Sequence, residues 1–216
     1  MTPSAALWLS LDPAWQEAFR QAWEAFRTGN IPVGACVTTA DGKIVRAARN
    51  RVSDEQAPEG EVFGSSVAHA EVNVLARIAL DTPRELVLTT TLEPCLQCSA
   101  VARLGAVATI RFAGADPLWD GCHDFSSLSP REAARPQLTM DGPRADQLGL
   151  FATLISRFWR HSDTTEAFLR AAGEGHSLEL VQDLRATGQM ARLAAMEVDD
   201  ALAHLWPQLS ALRKSA

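Results

Sequence analysis

The segment from Ala68 to Ala115 alternates two local signatures, and this alternation restricts the fold more than any other feature of the chain. AHAEVNVLARIAL spaces its apolar residues as a helix does, whereas ELVLTTTL is a short apolar run rich in β-formers. CLQCSAVARLG is helical again, and VATIRFAGA reads as a second buried strand. Strands separated by helices need crossover connections, which give a partly parallel sheet with helices on its faces. The spacing predicts a mixed α/β sandwich.

Upstream, PAWQEAFRQAWEAFRT places Trp15, Phe19, Ala22, Trp23 and Phe26 at helical spacing, with Asp12 as N-cap, Pro13 at the first position and Gly29 as stop. VGACVTTADGKIVRAARN follows as two β-rich runs around Asp41-Gly42, predicting an antiparallel hairpin from Val33 to about Asn50. SDEQAPEGEVFGSS is a polar loop. After the loop from Ala115 to Pro136, QLTMDG predicts a short last strand and DQLGLFATLISRFWR a helix. Beyond Arg160 lie TTEAFLRAAG, SLELVQDLRATG and a longer helical run from about Met190 to Leu212, with Pro207 as a candidate break. The apolar stripe of this tail, with Leu180, Leu184, Met190, Leu193, Leu202 and Leu205, favours packing on the core or on a partner subunit over a lid.

With 216 residues, 47% of them hydrophobic, the chain suits one sizeable core plus an appendage. The start, MTPSAALWLSLDPAW, lacks the basic and apolar regions of a leader, and no run approaches the roughly 18 apolar residues of a membrane span. The expectation is a soluble, cytoplasmic protein. The net charge is −6, and Lys43 and Lys214 are the only lysines, so no segment is a basic platform for phosphates. A small-molecule substrate is favoured over a polynucleotide.

Four cysteines are too few for a disulfide framework, which directs attention to metal or redox chemistry. His69-Ala70-Glu71 opens one predicted helix and Pro94-Cys95-Leu96-Gln97-Cys98 opens another. Cys95 and Cys98 are one turn apart, at a helix start whose free N–H groups favour thiolates. His69 can supply a third zinc ligand and leave the fourth position open, as catalytic zinc requires, with Glu71 free to move protons. A redox Cys-x-x-C would not need His-x-Glu upstream. A closed structural site would need Cys36 or Cys122 as fourth ligand, but Cys36 reads as a core residue and Cys122 as part of a polar loop.

His-x-Glu followed by Pro-Cys-x-x-Cys is the signature of zinc deaminases. With PVGACV, Asn50, AHAEVNVL, TLEPCLQCSA and VATIRFAGADP, the chain resembles the cytidine and deoxycytidylate deaminase superfamily, specifically its tRNA adenosine deaminase and guanine deaminase branch. The resemblance implies a three-layer α/β/α fold with a mixed five-stranded sheet over residues 1–160, leaving 161–216 as a helical C-terminal extension. It implies zinc held by His69, Cys95 and Cys98, Glu71 as general acid/base, Asn50 as a substrate contact and a homodimer. The implied reaction is hydrolytic replacement of a ring amine by oxygen, with zinc activating water and no organic cofactor.

The motif identifies the reaction but not the ring. Substrate contacts are sought in Ala70, between histidine and glutamate, and in ADPLWDGCHDF, where Trp119 can stack on a base and Asp116, Asp120 or His123 can bond its edge. Each has a plain alternative: Trp119 as a loop anchor, Asp120-Gly121 as a turn, His123 as an exposed loop residue. Phe151 and Phe158 read as packing. At the end of the last core helix stand only Arg157, Arg160 and His161, few cations for an RNA-binding end. The expected substrate is a free nucleobase or nucleoside. A tRNA adenosine, a specialised metabolite and a non-catalytic zinc-binding role are the alternatives.

Overall fold

The computed structural model describes residues 1–215. Five strands, β1 (Gly34–Thr38), β2 (Ile44–Arg49), β3 (Leu86–Leu92), β4 (Val107–Gly114) and β5 (Thr139–Asp141), form one sheet in the order β2-β1-β3-β4-β5. β1 pairs antiparallel with both β2 and β3, while β3–β4 and β4–β5 are parallel. The mixed sheet expected from the strand–helix alternation is therefore present.

Alternation along the strands separates two faces. Ala35, Val37, Leu86, Leu88 and Ile110 point toward α3 (Ala70–Leu75) and α4 (Leu96–Leu104), forming one apolar cluster with Val74 and Ala102. Cys36 points the other way, against Ala14 and Ala18 of α2 (Pro13–Arg27). That helix is capped by Asp12, whose carboxylate accepts from the Trp15 amide at 3.1 Å. α2 approaches β1 so closely that a Cβ on Gly34 would lie 2.2 Å from the Ala18 carbonyl oxygen, so no larger residue fits there.

The chain before α2 forms α1 (Pro3–Ser10), which was not expected as a helix; Thr2 caps it, Pro3 opens it, and Trp8 packs into the core. α3 is shorter than its apolar pattern, because the chain turns at Ala79–Thr82 ahead of Pro83. A short helix, α5 (Pro130–Ala134), capped by Ser129, interrupts the long loop before β5. α6 (Gln147–Ser156) covers the sheet beside α2.

The C-terminal segment consists of α7 (Asp163–Leu169), a turn kinked at Gly173, α8 (Gly175–Ala186), α9 (Gln189–Ala194) and α10 (Val198–Ser215). Its stripe packs on the core: Leu184, Leu193, Leu202, Leu205 and Leu209 share a cluster with Phe19, Trp23 and Phe151. The candidate break at Pro207 is not used. α10 runs through Pro207 because buried leucines on either side hold it against the core, and the break falls at 195–197 instead. There the Met196 carbonyl accepts from the Trp23 indole at 2.8 Å and from Arg27, and is thereby withdrawn from helical pairing. Among the described residues no helix is long and apolar enough to cross a membrane.

Because Leu202 is fully buried in this cluster, Leu202→Ala is expected to lower the unfolding free energy by about 2–5 kcal/mol in urea titrations. Leu80→Ala, at a fully exposed position, should change it by less than about 0.5 kcal/mol.

Candidate active site

β2 and β3 each run antiparallel to β1 and so share a direction, and β4 is parallel to β3. Their carboxyl ends lie along one edge of the sheet. Asn50 follows β2, Glu93-Pro94-Cys95 follows β3, and Asp116 follows β4. The Asn50 amide donates to the Val33 carbonyl at 3.0 Å, and the Glu93 amide to Gly114 at 2.8 Å, so neighbouring strands fix both positions.

His69 and Cys95 are the N-cap residues of α3 and α4, each with extended backbone, and neither side chain caps its own helix. Both instead turn toward Cys98, one turn into α4. His69 Nδ1, Cys95 Sγ and Cys98 Sγ are mutually 3.4 Å apart, an equilateral triangle. Tetrahedral zinc with ordinary Zn–S and Zn–N bonds needs ligand–ligand edges of about 3.5–3.8 Å, so one His and two Cys here fit that ion. Among the described residues they are the one such cluster. Cys36 is buried against α2 with its thiol pushed up to about 12, chiefly by burial, and neither it nor half-buried Cys122 belongs to the cluster.

The Cys98 thiol and the His69 ring hydrogen-bond Cys95 and bring its thiol down to about 4, against the effect of burial. Cys98 keeps its proton, held well up by that hydrogen bond and by burial, and His69 is raised by its bond to Cys95. Glu71, fully buried, is raised by desolvation; its Oε1 accepts from the Thr90 hydroxyl at 2.7 Å and its Oε2 lies 3.2 Å from Cys98 Sγ.

These groups open onto a cavity of about 120 Å³. It brings together Asn50, His69, Glu71, Cys95, Cys98 and Trp119, with Trp119 partly exposed at the rim. Asn50 Oδ1 accepts from the Val52 amide at 3.1 Å, which leaves its Nδ2 as the donor for the cavity. Two expected contacts lie elsewhere. The Ala70 methyl is in the apolar cluster under the sheet, and His123 lines a separate groove with Asp120, Met140 and Thr153, because the turn at Gly121 carries it away from the metal ligands.

The cavity also holds residues that the motif did not indicate: Glu93, Ser156, Arg157 and His161. Glu93 Oε2 accepts from the Asp116 amide at 3.1 Å. Arg157, with 1% of its side chain exposed, donates to Asp116 at 3.2 Å and to both carboxylate oxygens of Glu174 at 2.6 and 2.8 Å. Burial pushes Asp116 up, against the pull of Arg157. No local pattern marks this triad, since its members lie 17 and 41 positions apart in the chain.

Residues 11–113 match the model of the cytidine and deoxycytidylate deaminase zinc-binding region. The tRNA-specific adenosine deaminase of Bacillus subtilis is 36% identical over 106 residues, which are 47% of this chain and 60% of that protein. A tRNA(Ile)-lysidine synthase of Deinococcus radiodurans is 34% identical over 119 residues, 52% of this chain and 19% of that one. The match thus spans less than two thirds of either relative. Among solved structures, a mutant protein in complex with 8-azaguanine aligns with TM-score 0.51 at 18% identity, covering 74% of this chain and 92% of that one, a likeness of fold. A guanine deaminase from Nitrosomonas europaea aligns with TM-score 0.49 at 20% identity over 74% of this chain and 93% of that one. Residues 11–113 are thus similar to the zinc-binding region of the cytidine and deoxycytidylate deaminases, the region that contains His69, Glu71, Cys95 and Cys98.

Proposed function

We propose that this chain is a zinc-dependent hydrolytic deaminase of a free nucleobase or nucleoside, exchanging a ring amine for an oxo group with release of ammonia. The observation that carries the substrate class is the state of Arg157. It is the one Lys or Arg among the residues lining the cavity, and Asp116 and Glu174 occupy its guanidinium. No free cation is left inside for a phosphate, while the small volume, below the roughly 300–1,000 Å³ of drug-sized pockets, suits a single uncharged ring. The proposal takes residues 1–160 as the catalytic domain and 161–216 as an extension packed on it, with a homodimer as the family resemblance implies.

Zinc, when bound by His69, Cys95 and Cys98, supplies a Lewis acid that makes water nucleophilic near neutral pH. Glu71 takes the proton that the attacking water loses. Its burial raises its affinity for that proton, while Thr90 holds one oxygen and leaves the other toward the ligands. Glu71 then protonates the ring nitrogen beside the reacting carbon and assists departure of ammonia. Asn50 Nδ2 offers a donor to orient the ring, and Trp119 an aromatic face at the rim. A second reading, deamination of an adenosine within tRNA, is favoured by the tRNA-specific relative and would place the phosphate contacts outside the cavity.

Ammonia release from the zinc-loaded protein against adenine, guanine, cytosine, their nucleosides and unmodified tRNA tests the proposal. Turnover of a free base or nucleoside is expected. Inosine in tRNA with silence on every small substrate would replace this reading with the second. Glu71→Gln should lower kcat by about 10²–10⁴-fold with zinc content unchanged.

Since the Cys98 thiol is held well above its ordinary value by its bond to Cys95 and by burial, zinc must displace its proton. Calorimetry in buffers of different ionisation enthalpy should show release of about one proton or more per zinc at neutral pH. Zinc affinity should fall as the pH is lowered, and uptake without proton release would contradict this charge distribution.

A further inference from the structure

We infer that Asp116 is a substrate-binding residue that selects a ring bearing an N–H: one oxygen of its buried carboxylate, Oδ2, makes no hydrogen bond within the protein and opens onto the cavity that holds the metal ligands. The inference rests on the deaminase reading and narrows its substrate class. Oδ1 is engaged, accepting from the Leu118 amide at 3.3 Å and from Arg157 at 3.2 Å. Oδ2 has no such partner, yet it is not one of the partnerless polar atoms sealed from solvent, which among the described residues belong to Trp15, Thr89, His161 and Gln208. A water-sized molecule therefore reaches it. The side chain is 5% exposed and lines the catalytic cavity, not the neighbouring groove of Asp120 and His123 in which Glu93 also takes part. Cys95 is close enough for its charge to act on Asp116.

The chemistry of the ligand edge follows from what stands beside this oxygen. Arg157 spends Nε and Nη2 on Glu174 and Asp116, but its other terminal nitrogen, Nη1, makes no hydrogen bond, is likewise not sealed from solvent, and belongs to a side chain lining the same cavity. Two carboxylates already meet the guanidinium charge, so Nη1 adds a donor and not a net cation. Nη1 and Oδ2 each share a carbon with one of the two atoms joined by the 3.2 Å bond, so the wall presents a donor beside an acceptor. A ring N–H with an acceptor atom next to it complements that pair. Free cytosine has N1–H beside O2, free adenine N9–H beside N3, and guanine N1–H beside O6. Because the cavity suits a single ring, the N–H has to be the ring's own. Cytidine and adenosine have lost it to the glycosidic bond, whereas guanosine keeps it. A ring lacking the N–H would displace water from Oδ2 and leave a buried charged oxygen unpaired, the situation in which a site rejects a wrong substrate most strongly.

The test measures zinc-loaded wild type and Asp116→Asn, which leaves Glu174 on Arg157, on cytosine, adenine and guanine, on 1-methylcytosine, 9-methyladenine and 1-methylguanine, and on the three nucleosides. For the base that the wild type turns over fastest, blocking the N–H with methyl should raise KM about tenfold to a hundredfold, the range of a hydrogen bond to a charged group. In Asp116→Asn that ratio should shrink with zinc content unchanged, because the parent base loses its bond while the steric cost of the methyl group is the same in both proteins. An equal ratio in both, or a preference for adenosine or cytidine over the free bases, would overturn the inference. A second measurement needs no variant: in the saturated wild-type complex with the oxo product, ¹⁵N-labelled at the nitrogen that carries this N–H, the proton signal should lie downfield and exchange slowly. An N–H that exchanges as in free solution would overturn the inference even where Asp116→Asn does not fold. A wild type inert on the whole panel would overturn the deaminase reading of free bases itself, a result distinct from a turning-over wild type indifferent to the N–H.

Discussion

Two helix N-caps are given over to a ligand triangle, and the rest of the site is arranged around that choice. His69 and Cys95 occupy positions where Ser, Thr, Asp or Asn would normally satisfy the first free amides, and neither does so. Forgoing such a cap costs about 1 kcal/mol per helix. In return, two side chains from different helices come within 3.4 Å of Cys98, with the free amides of two helix starts directed at the same place. The arrangement requires α3 and α4 to begin at the same edge of the sheet. β3 leads directly to the start of α4, and the long loop after β2 is brought back to the same edge by the Arg51 amide, which donates to the Ala68 carbonyl at 2.9 Å just before α3. Open α/β sheets place ligands at such edges, and here β4 adds Asp116 to the same edge.

The C-terminal segment belongs to this arrangement and is not merely attached to it. A positive φ at Gly173, which glycine alone adopts without strain, kinks the chain after α7 and sets Glu174 against Arg157. Arg157 in turn holds Asp116, whose amide is bound to Glu93 in the cavity wall. A guanidinium 1% exposed tolerates its burial only while both carboxylates remain, because removing one partner of a buried pair leaves charge uncompensated. Through this chain of contacts, residues far from the motif determine the shape and charge of the pocket above the metal.

The fold was legible where one local signal agreed with its tertiary surroundings. Asp12-Pro13 and Gly29 bounded α2, Asp41-Gly42 marked the hairpin, and the alternation after Ala68 gave the mixed sheet. It was misread where tertiary contacts overrode local preference. Pro207 has the strongest helix-breaking chemistry in the tail, yet buried Leu205 and Leu209 carry α10 past it. Met196 has no breaking tendency of its own, and its carbonyl is drawn out of the helix by Trp23 and Arg27, some 170 residues earlier. Thr2-Pro3 is an ordinary N-cap and first-turn pair, but its helix is stabilised by burying Trp8 against distant elements, which the short stretch alone does not reveal.

The same distinction divides the site. Chemistry at a metal needs ligands at fixed short range, so it compresses into motifs: two cysteines one turn apart and a His-x-Glu at a helix start are readable because their geometry is set by three or four residues of backbone. Recognition of a ring needs groups distributed around it, and no single element can supply those. Asp116 comes from a loop after β4, Arg157 and His161 from the chain after α6, and Glu174, which holds Arg157, from the kinked turn at Gly173. The loop after β4 illustrates the limit in four residues, where Trp119 reaches the cavity and His123 is turned from it by Gly121. In such an architecture the end of α6 and the tail can change the wall of the pocket while the signature stays fixed, because the wall and the motif come from different parts of the chain.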